Sequence, residues 1–171
     1  MGQEKFDTAI ESRPLDHEPF FNYDEQTMKL RWVIAILICI SPAWLTADEQ
    51  THTRAVRLPS GKQITAEVAD TPSKRMLGLM FRDQLPGGHG MLFFFDKQDY
   101  HGIWMKNCRI PLDILWLDKN RKVIHMEENA PPCEGDSCRT YYPLQKALYV
   151  LELNQGLIAR EKIGLGAHLK F

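Results

Sequence analysis

Leu112-Asp113-Ile114-Leu115-Trp116-Leu117 is an apolar run broken by a single acid, and Asp118-Lys119-Asn120-Arg121 separates it from Val123–Glu127. The run reads as a buried strand, the polar tetrapeptide as a turn, and Val123–Glu127 as the next strand. Just upstream, Gly102–Asn107 reads as another strand, separated from the first by Ile110-Pro111. The same grammar extends outward both ways. Arg54–Leu58, the turn Pro59-Ser60-Gly61-Lys62 and Gln63–Asp70 form a hairpin, with Ile64, Ala66 and Val68 alternating on one face. The loop Pro86-Gly87-Gly88-His89-Gly90 precedes an apolar strand, Met91–Phe95. Residues 129–143 hold three prolines and read as a long irregular loop, Ala147–Leu153 is a further strand, and Gly164-Leu165-Gly166 leads into a closing one. Thr71-Pro72 starts a helix reaching about Met80, because a threonine hydroxyl caps free N–H groups and proline suits the first helical position. Met76, Leu77 and Met80 are expected to face the core. Gln155–Glu161 gives a second short helix. The expected fold is β-rich α+β: a compact antiparallel, barrel-like sheet with one or two short helices, behind an N-terminal hydrophobic segment.

That segment begins at Met28. Lys29 and Arg31 make a basic flank, and Trp32–Leu45 is apolar apart from Ser41 and Pro42. Its 14 residues suit a signal-peptide core better than a membrane span, which needs about 20. Cleavage is expected after Ala43 or Ala47. Cys39 lacks the small preceding residues of a lipoprotein site and reads as part of the apolar core. Residues 1–27 carry seven acids against Lys5 and Arg13, the reverse of a signal peptide's basic start. The division expected is an acidic leader, 1–27, ahead of the start at Met28 and not translated; a signal peptide, 28–47; and one globular β-rich domain, 48–171. The alternative is an uncleaved inner-membrane anchor, residues 32–45, with a cytoplasmic acidic tail. The expected location is extracytoplasmic, periplasmic or secreted.

The chain has 171 residues, 44% hydrophobic and 25% charged, with a formal net charge of −1. From Asp48 onward the balance is only mildly positive, without the concentrated basic stripe that nucleic acid calls for, so no nucleic-acid partner is expected.

Several runs resemble the family called domain of unknown function 192: Gly78-Leu79-Met80-Phe81-Arg82, Gly90-Met91-Leu92-Phe93, Trp104-Met105-Lys106-Asn107, Ile110-Pro111-Leu112-Asp113, Ala130-Pro131-Pro132-Cys133 and Tyr149-Val150-Leu151-Glu152. The resemblance covers nearly all of residues 54–171, in order. It implies a small, often exported, β-barrel-like domain and no settled activity. Cys108 stands where that family usually has threonine, and Ala167 follows Gly166 where an acid is common.

Trp104, Lys106, Asn107, Arg109 and Asp113 form the densest polar-aromatic cluster. Asp113 between Leu112 and Ile114, and Glu152 between Leu151 and Leu153, are carboxylates inside apolar strands. Burial makes an unpaired carboxylate costly, so each needs a partner, from Arg82, Lys106 or Arg109 for Asp113. Two such acids can do acid–base work, but a buried ion pair or a carboxylate accepting backbone N–H bonds is the commoner arrangement. Cys133-Glu134-Gly135-Asp136-Ser137-Cys138 reads as a disulfide loop outside the cytoplasm, in preference to a zinc site completed by His89, His101 or His125. Cys108 as a nucleophile with His101 or His125 as base is set against an inert buried thiol. Tyr100, Trp104 and Trp116 could stack on a flat ligand, though aromatics at strand spacing are more often core.

The function expected is a non-catalytic small-ligand-binding or accessory domain of the cell envelope, partnered by a small molecule or an envelope protein. Its pocket is expected to draw on Trp104, Asn107, Asp113, Glu152 and Arg82, with no cofactor, no metal and no catalytic residue assigned. The alternative is a small hydrolase using Asp113 or Glu152 as general base. Asp113 and Glu152 are expected to lie close together and share a cation or donor.

Overall fold

The computed structural model describes residues 52–135 and 137–171; the acidic leader, the apolar segment 32–45, Cys39 and both cleavage positions lie outside the described residues. No helix among the described residues is long and apolar enough to cross a membrane. Eight strands are described: β1 (Thr53–Arg57), β2 (Gln63–Ala69), β3 (His89–Asp99), β4 (Ile103–Trp104), β5 (Leu112–Leu117), β6 (Val123–Ala130), β7 (Thr140–Tyr141) and β8 (Ala147–Asn154). Two short helices accompany them, α1 (Pro72–Leu77) and α2 (Leu157–Arg160).

Six strands form one sheet in the order β1-β2-β3-β8-β5-β6, while β4 and β7 pair separately. The sheet is mixed, which corrects the antiparallel expectation: β2 and β3 run parallel, Glu67 beside Met91. The chain leaves β2 through α1 and the loop to Gly88 before β3 begins, and a crossover of that length returns a strand in its original direction. Nor does the sheet close into a barrel. The C-terminal stretch meets both edges through single bridges, Arg57 with Lys170 and Lys122 with His168. Closure needs a continuous hydrogen-bonded ladder, and two isolated bridges leave the edges as edges.

Both faces are covered, so β5 is buried at every residue and reads as one apolar run. Leu112, Ile114 and Trp116 pack with Met91, Phe93 and Val150 on one face. Leu115 and Leu117 pack with Leu92, Leu151 and Leu153 on the other, under Leu157, Ile158 and Ile163.

Three local expectations are corrected. The α1 helix opens as expected, with Thr71 Oγ1 accepting the Lys74 N–H at 3.2 Å, but it stops after Leu77. Gly78, at φ +49°, turns the chain there. Leu79 is therefore inserted into the core, and Met76 and Leu77 are exposed. In the expected strand Gly102–Asn107 only Ile103–Trp104 is extended. Met105–Cys108 is instead a turn, closed by Cys108 N–H donating to Met105 O at 3.1 Å, with Asn107 at φ +56°. The expected loop 129–143 contains β7, which pairs Thr140 with Trp104.

Gly90 lies in β3 between Ala66 and Leu153. A Cβ there would fall 2.7 Å from the backbone oxygen of Glu152 and 3.1 Å from Leu153 Cδ2. Gly90→Ala is expected to destabilise the domain by about 2 kcal/mol, because the clash is with backbone and overpacking in a dense core costs on that order. A urea midpoint equal to that of the parent protein would show that β3 and β8 can separate at no cost.

Candidate functional site

Strands β5 and β8 pair so that Asp113 stands opposite Leu153, and Ile114 opposite Glu152. Directly paired residues share a face and consecutive ones alternate. The two carboxylates are therefore close along the sheet but lie on opposite faces. Both are buried, as Asp113 is 0% and Glu152 4% exposed. The expectation that they share a cation is corrected by this register.

Asp113 is fully occupied by backbone. Its Oδ1 accepts the Asn129 N–H at 3.0 Å and its Oδ2 the Ile158 N–H at 2.8 Å. The residue ahead of α2, Gly156, offers no side-chain cap. A helix start leaves unpaired N–H groups, and Asp113 supplies from β5 the acceptor that the local sequence lacks. Its partners are main-chain groups, and Arg82, Lys106 and Arg109 are engaged elsewhere. Arg109 pairs with Asp83 at 2.9 Å, and Lys106 Nζ lies 5.7 Å from the centre of the Trp104 ring.

Glu152 is different. It belongs to a row running Glu67, Met91, Glu152, Ile114 across β2, β3, β8 and β5 on one face. Arg82 closes a two-pronged ion pair on Glu67, with Nη2 to Oε2 at 2.7 Å. That bond holds the Glu67 carboxyl below its ordinary value. Among the described residues Glu152 lies in the field of Arg82, and its buried Oε2 has no hydrogen-bond partner. Burial pushes its carboxyl up to about 8, against the pull of Arg82's charge.

The Glu152 side chain lines a cavity of about 100 Å³ together with Cys108, Phe93, Phe95, Trp104 and Arg75. The α1 residues Met76 and Leu77, with Met80, complete its outer rim. Cys108 is free and buried. Desolvation, then the nearby Glu152 carboxyl, push its thiol up to about 12, which removes it as a nucleophile at neutral pH.

Asn107 does not face the cavity as a ligand. In its left-handed conformation its carbonyl accepts the Phe81 N–H at 2.8 Å and its N–H donates to Cys133 O at 2.9 Å. It thereby ties the segment after α1 to the loop in which Cys133 and Cys138 are bonded, Cα–Cα 5.8 Å. Those sulfurs are not available to zinc, and no cluster of metal-ligating side chains is found among the described residues. Of the aromatics, Trp116 is core, its Nε1–H donating to His101 O at 2.7 Å. His101 stacks on Phe95 with ring centres 3.6 Å apart, Tyr100 is exposed, and Trp104 stands half-exposed at the cavity's edge. A larger hollow of about 920 Å³ beside Lys62, Gln155 and Arg160 is an open groove. Its residue Asn154 is already bonded to Leu85 O and Pro86 O.

The structure thus brings together Glu152, Trp104 and, at one remove, Arg82, and sends Asp113 and Asn107 to structural tasks. Glu67, Arg75, Phe93 and Phe95 went unrecognised in the sequence. Glu67 did carry a signal, since it falls on the face opposite Ile64 and Ala66, with Ala69, and an acid on that side of a buried strand needs a cation.

The matching family model, domain of unknown function 192, described as "Uncharacterized ACR", spans residues 54–171. A UPF0127 protein of Pyrococcus furiosus is 28% identical over 123 residues, covering 68% of this chain and 96% of the relative. A crystal structure from Sinorhizobium meliloti 1021, of a protein described provisionally as a transcription regulator, superposes with a TM-score of 0.65 at 34% identity. It covers 72% of this chain and 97% of the other. A protein of unknown function from Novosphingobium aromaticivorans DSM 12444 gives 0.65 at 31% identity, with 73% and 89% covered.

The two carboxylates should respond oppositely to substitution. Asp113→Ala strands the buried Ile158 N–H and the part-buried Asn129 N–H and is expected to cost about 3 kcal/mol. Glu152 carries a folded-state value near 8 against an ordinary 4.5. Its contribution to stability is thus full below pH 4.5 and is lost as pH rises through 8. Glu152→Gln should flatten that decline and raise the melting temperature at pH 8.5. Parallel melting curves for parent and Glu152→Gln from pH 5 to pH 9 would rule out the unpaired buried carboxyl.

Proposed function

Because this chain belongs to the domain of unknown function 192 family across residues 54–171, we propose that it is a non-catalytic small-molecule-binding domain whose pocket is the Glu152 cavity. The observation carrying this reading is the Glu152 side chain, which lines that space and whose buried Oε2 has no hydrogen-bond partner. A buried polar atom without a partner costs about 1–3 kcal/mol, and such a cost persists where a ligand meets it. Phe93, Phe95 and Trp104 supply apolar walls around one polar group, the usual make-up of a ligand pocket. The half-exposed Trp104 stands where a ligand enters. The two readings of Glu152 and Asp113 as general bases lack support, since Asp113 is held by two backbone donors and no activated nucleophile adjoins Glu152. We place the domain outside the cytoplasm. The Cys133–Cys138 bond supports this, as such bonds persist in oxidising compartments.

A thermal-shift screen of the purified protein against sugars, nucleotides, amines and small acids tests the reading, because a ligand that prefers the folded state raises the melting temperature. Trp104→Ala and Glu152→Leu are expected to remove the shift while the proteins remain folded. A hit that survives both and disappears on Arg160→Ala would move the site to the open groove.

A further inference from the structure

We propose that the Glu152 cavity takes the carboxylate end of a short organic acid, which the Glu152 carboxyl meets as hydrogen-bond donor in a space that the Arg75 side chain also lines. This rests on the binding reading above and names its ligand class.

The charges around Glu152 decide between an acid and an amine. At its register β3 and β5 present Met91 and Ile114, neither of them ionisable. From α1 comes Arg75, whose side chain is 15% exposed and lines the cavity. Its Nη1 donates to Asp70 O at 2.8 Å and to Phe94 O at 2.7 Å, and the guanidinium lies 5.5 Å from the centre of the Phe95 ring. The backbone bonds hold it in place, and its charge faces only Asp96, at 3.8 Å and 93% exposed, where solvent weakens the pair. From the segment after α1 comes the positive field of Arg82, itself ion-paired with Glu67. From the turn after β4 comes the neutral thiol of Cys108, and His101 stacks behind Phe95. An ammonium entering here meets the Arg75 guanidinium in the cavity lining and has to drive a proton off Glu152. A carboxylate approaches that cation and finds the proton already in place to donate, so an O–H···O⁻ bond forms with no net proton release. The space, about 100 Å³, equals roughly three waters' share of liquid, and Phe93, Phe95 and Ile103 line it with apolar surface. It therefore suits an acid of about two to four carbons.

Bound carboxylate stabilises the protonated form of Glu152, so affinity should be greatest below pH 8 and weaken above it by up to tenfold per pH unit. Calorimetric titration with propionate, butyrate and propylamine between pH 7 and pH 9.5 tests this on the intact protein. Propionate or butyrate is expected to bind with that pH profile, while propylamine does not bind. Glu152→Gln, whose amide N–H still donates, should bind the acid without the pH dependence. The profile of the parent protein decides the matter even if the variant is unstable. Propylamine binding that strengthens with pH overturns the acid class and leaves the pocket standing. Acid binding that ignores pH overturns the role of Glu152. Failure of all three to bind, with no screening hit sensitive to Trp104→Ala, overturns both proposals.

Discussion

The register between Leu112–Leu117 and Ala147–Asn154 is the constraint on which the rest depends. It sets Ile114 against Glu152 and Asp113 against Leu153 at the centre of the sheet. With side chains alternating at a strict period of two, a slip of one residue would exchange the faces of an entire strand. Both faces are covered here, so a slip would drive Leu115, Leu117, Leu151 and Leu153 off their shared face. The same register sends one acid to each side. On one side Asp113 meets the bare start of α2 and the Asn129 N–H, and each of its oxygens accepts a backbone hydrogen bond. On the other, Glu152 meets aromatic and thioether surface and the field of Arg82. Equivalent burial of the same functional group therefore yields a structural brace in one case and a strained, proton-retaining carboxyl in the other.

Around that carboxyl the chain spends its irregular segments. The turn at Asn107 bonds to Phe81 and Cys133 through its own backbone, so the α1 end, the segment after β4 and the disulfide loop become one support for the cavity wall. Arg82 is held by Glu67 in a geometry that leaves its field, though not its hydrogen bonds, directed at Glu152. The exposed Met76 and Leu77 follow from the early stop at Gly78, which gives up a longer amphipathic helix to bring Leu79 into the core and an apolar rim to the cavity mouth. Each of these is a backbone decision, made by a few left-handed residues.

Strand existence was legible because apolar runs and turn residues are local signals, and β1, β2, β5 and β6 lie where alternation and Pro/Gly punctuation put them. Helix extent was less so: six residues of α1 carry too little periodicity to reveal which side is solvent, and Gly78 outweighed the Met stripe. The parallel β2–β3 pair and the open edges were invisible, since strand direction depends on how a connection crosses the sheet rather than on the residues within it. For the site, the sequence showed that Asp113 and Glu152 interrupt apolar strands and need company.

What that company would be was a tertiary matter. By itself the sequence determined a β-rich domain, two carboxylates within apolar strands and a pair of cysteines five positions apart, because each follows from composition and period over a few residues. Only the three-dimensional structure decided that the acids part to opposite faces, that Asp113 caps a helix 45 positions away, and that Glu152 looks into an aromatic-walled space without a partner. The environment of a buried charge is made of groups from distant segments, so its desolvation and its partners exist only once strand pairing has brought those segments together.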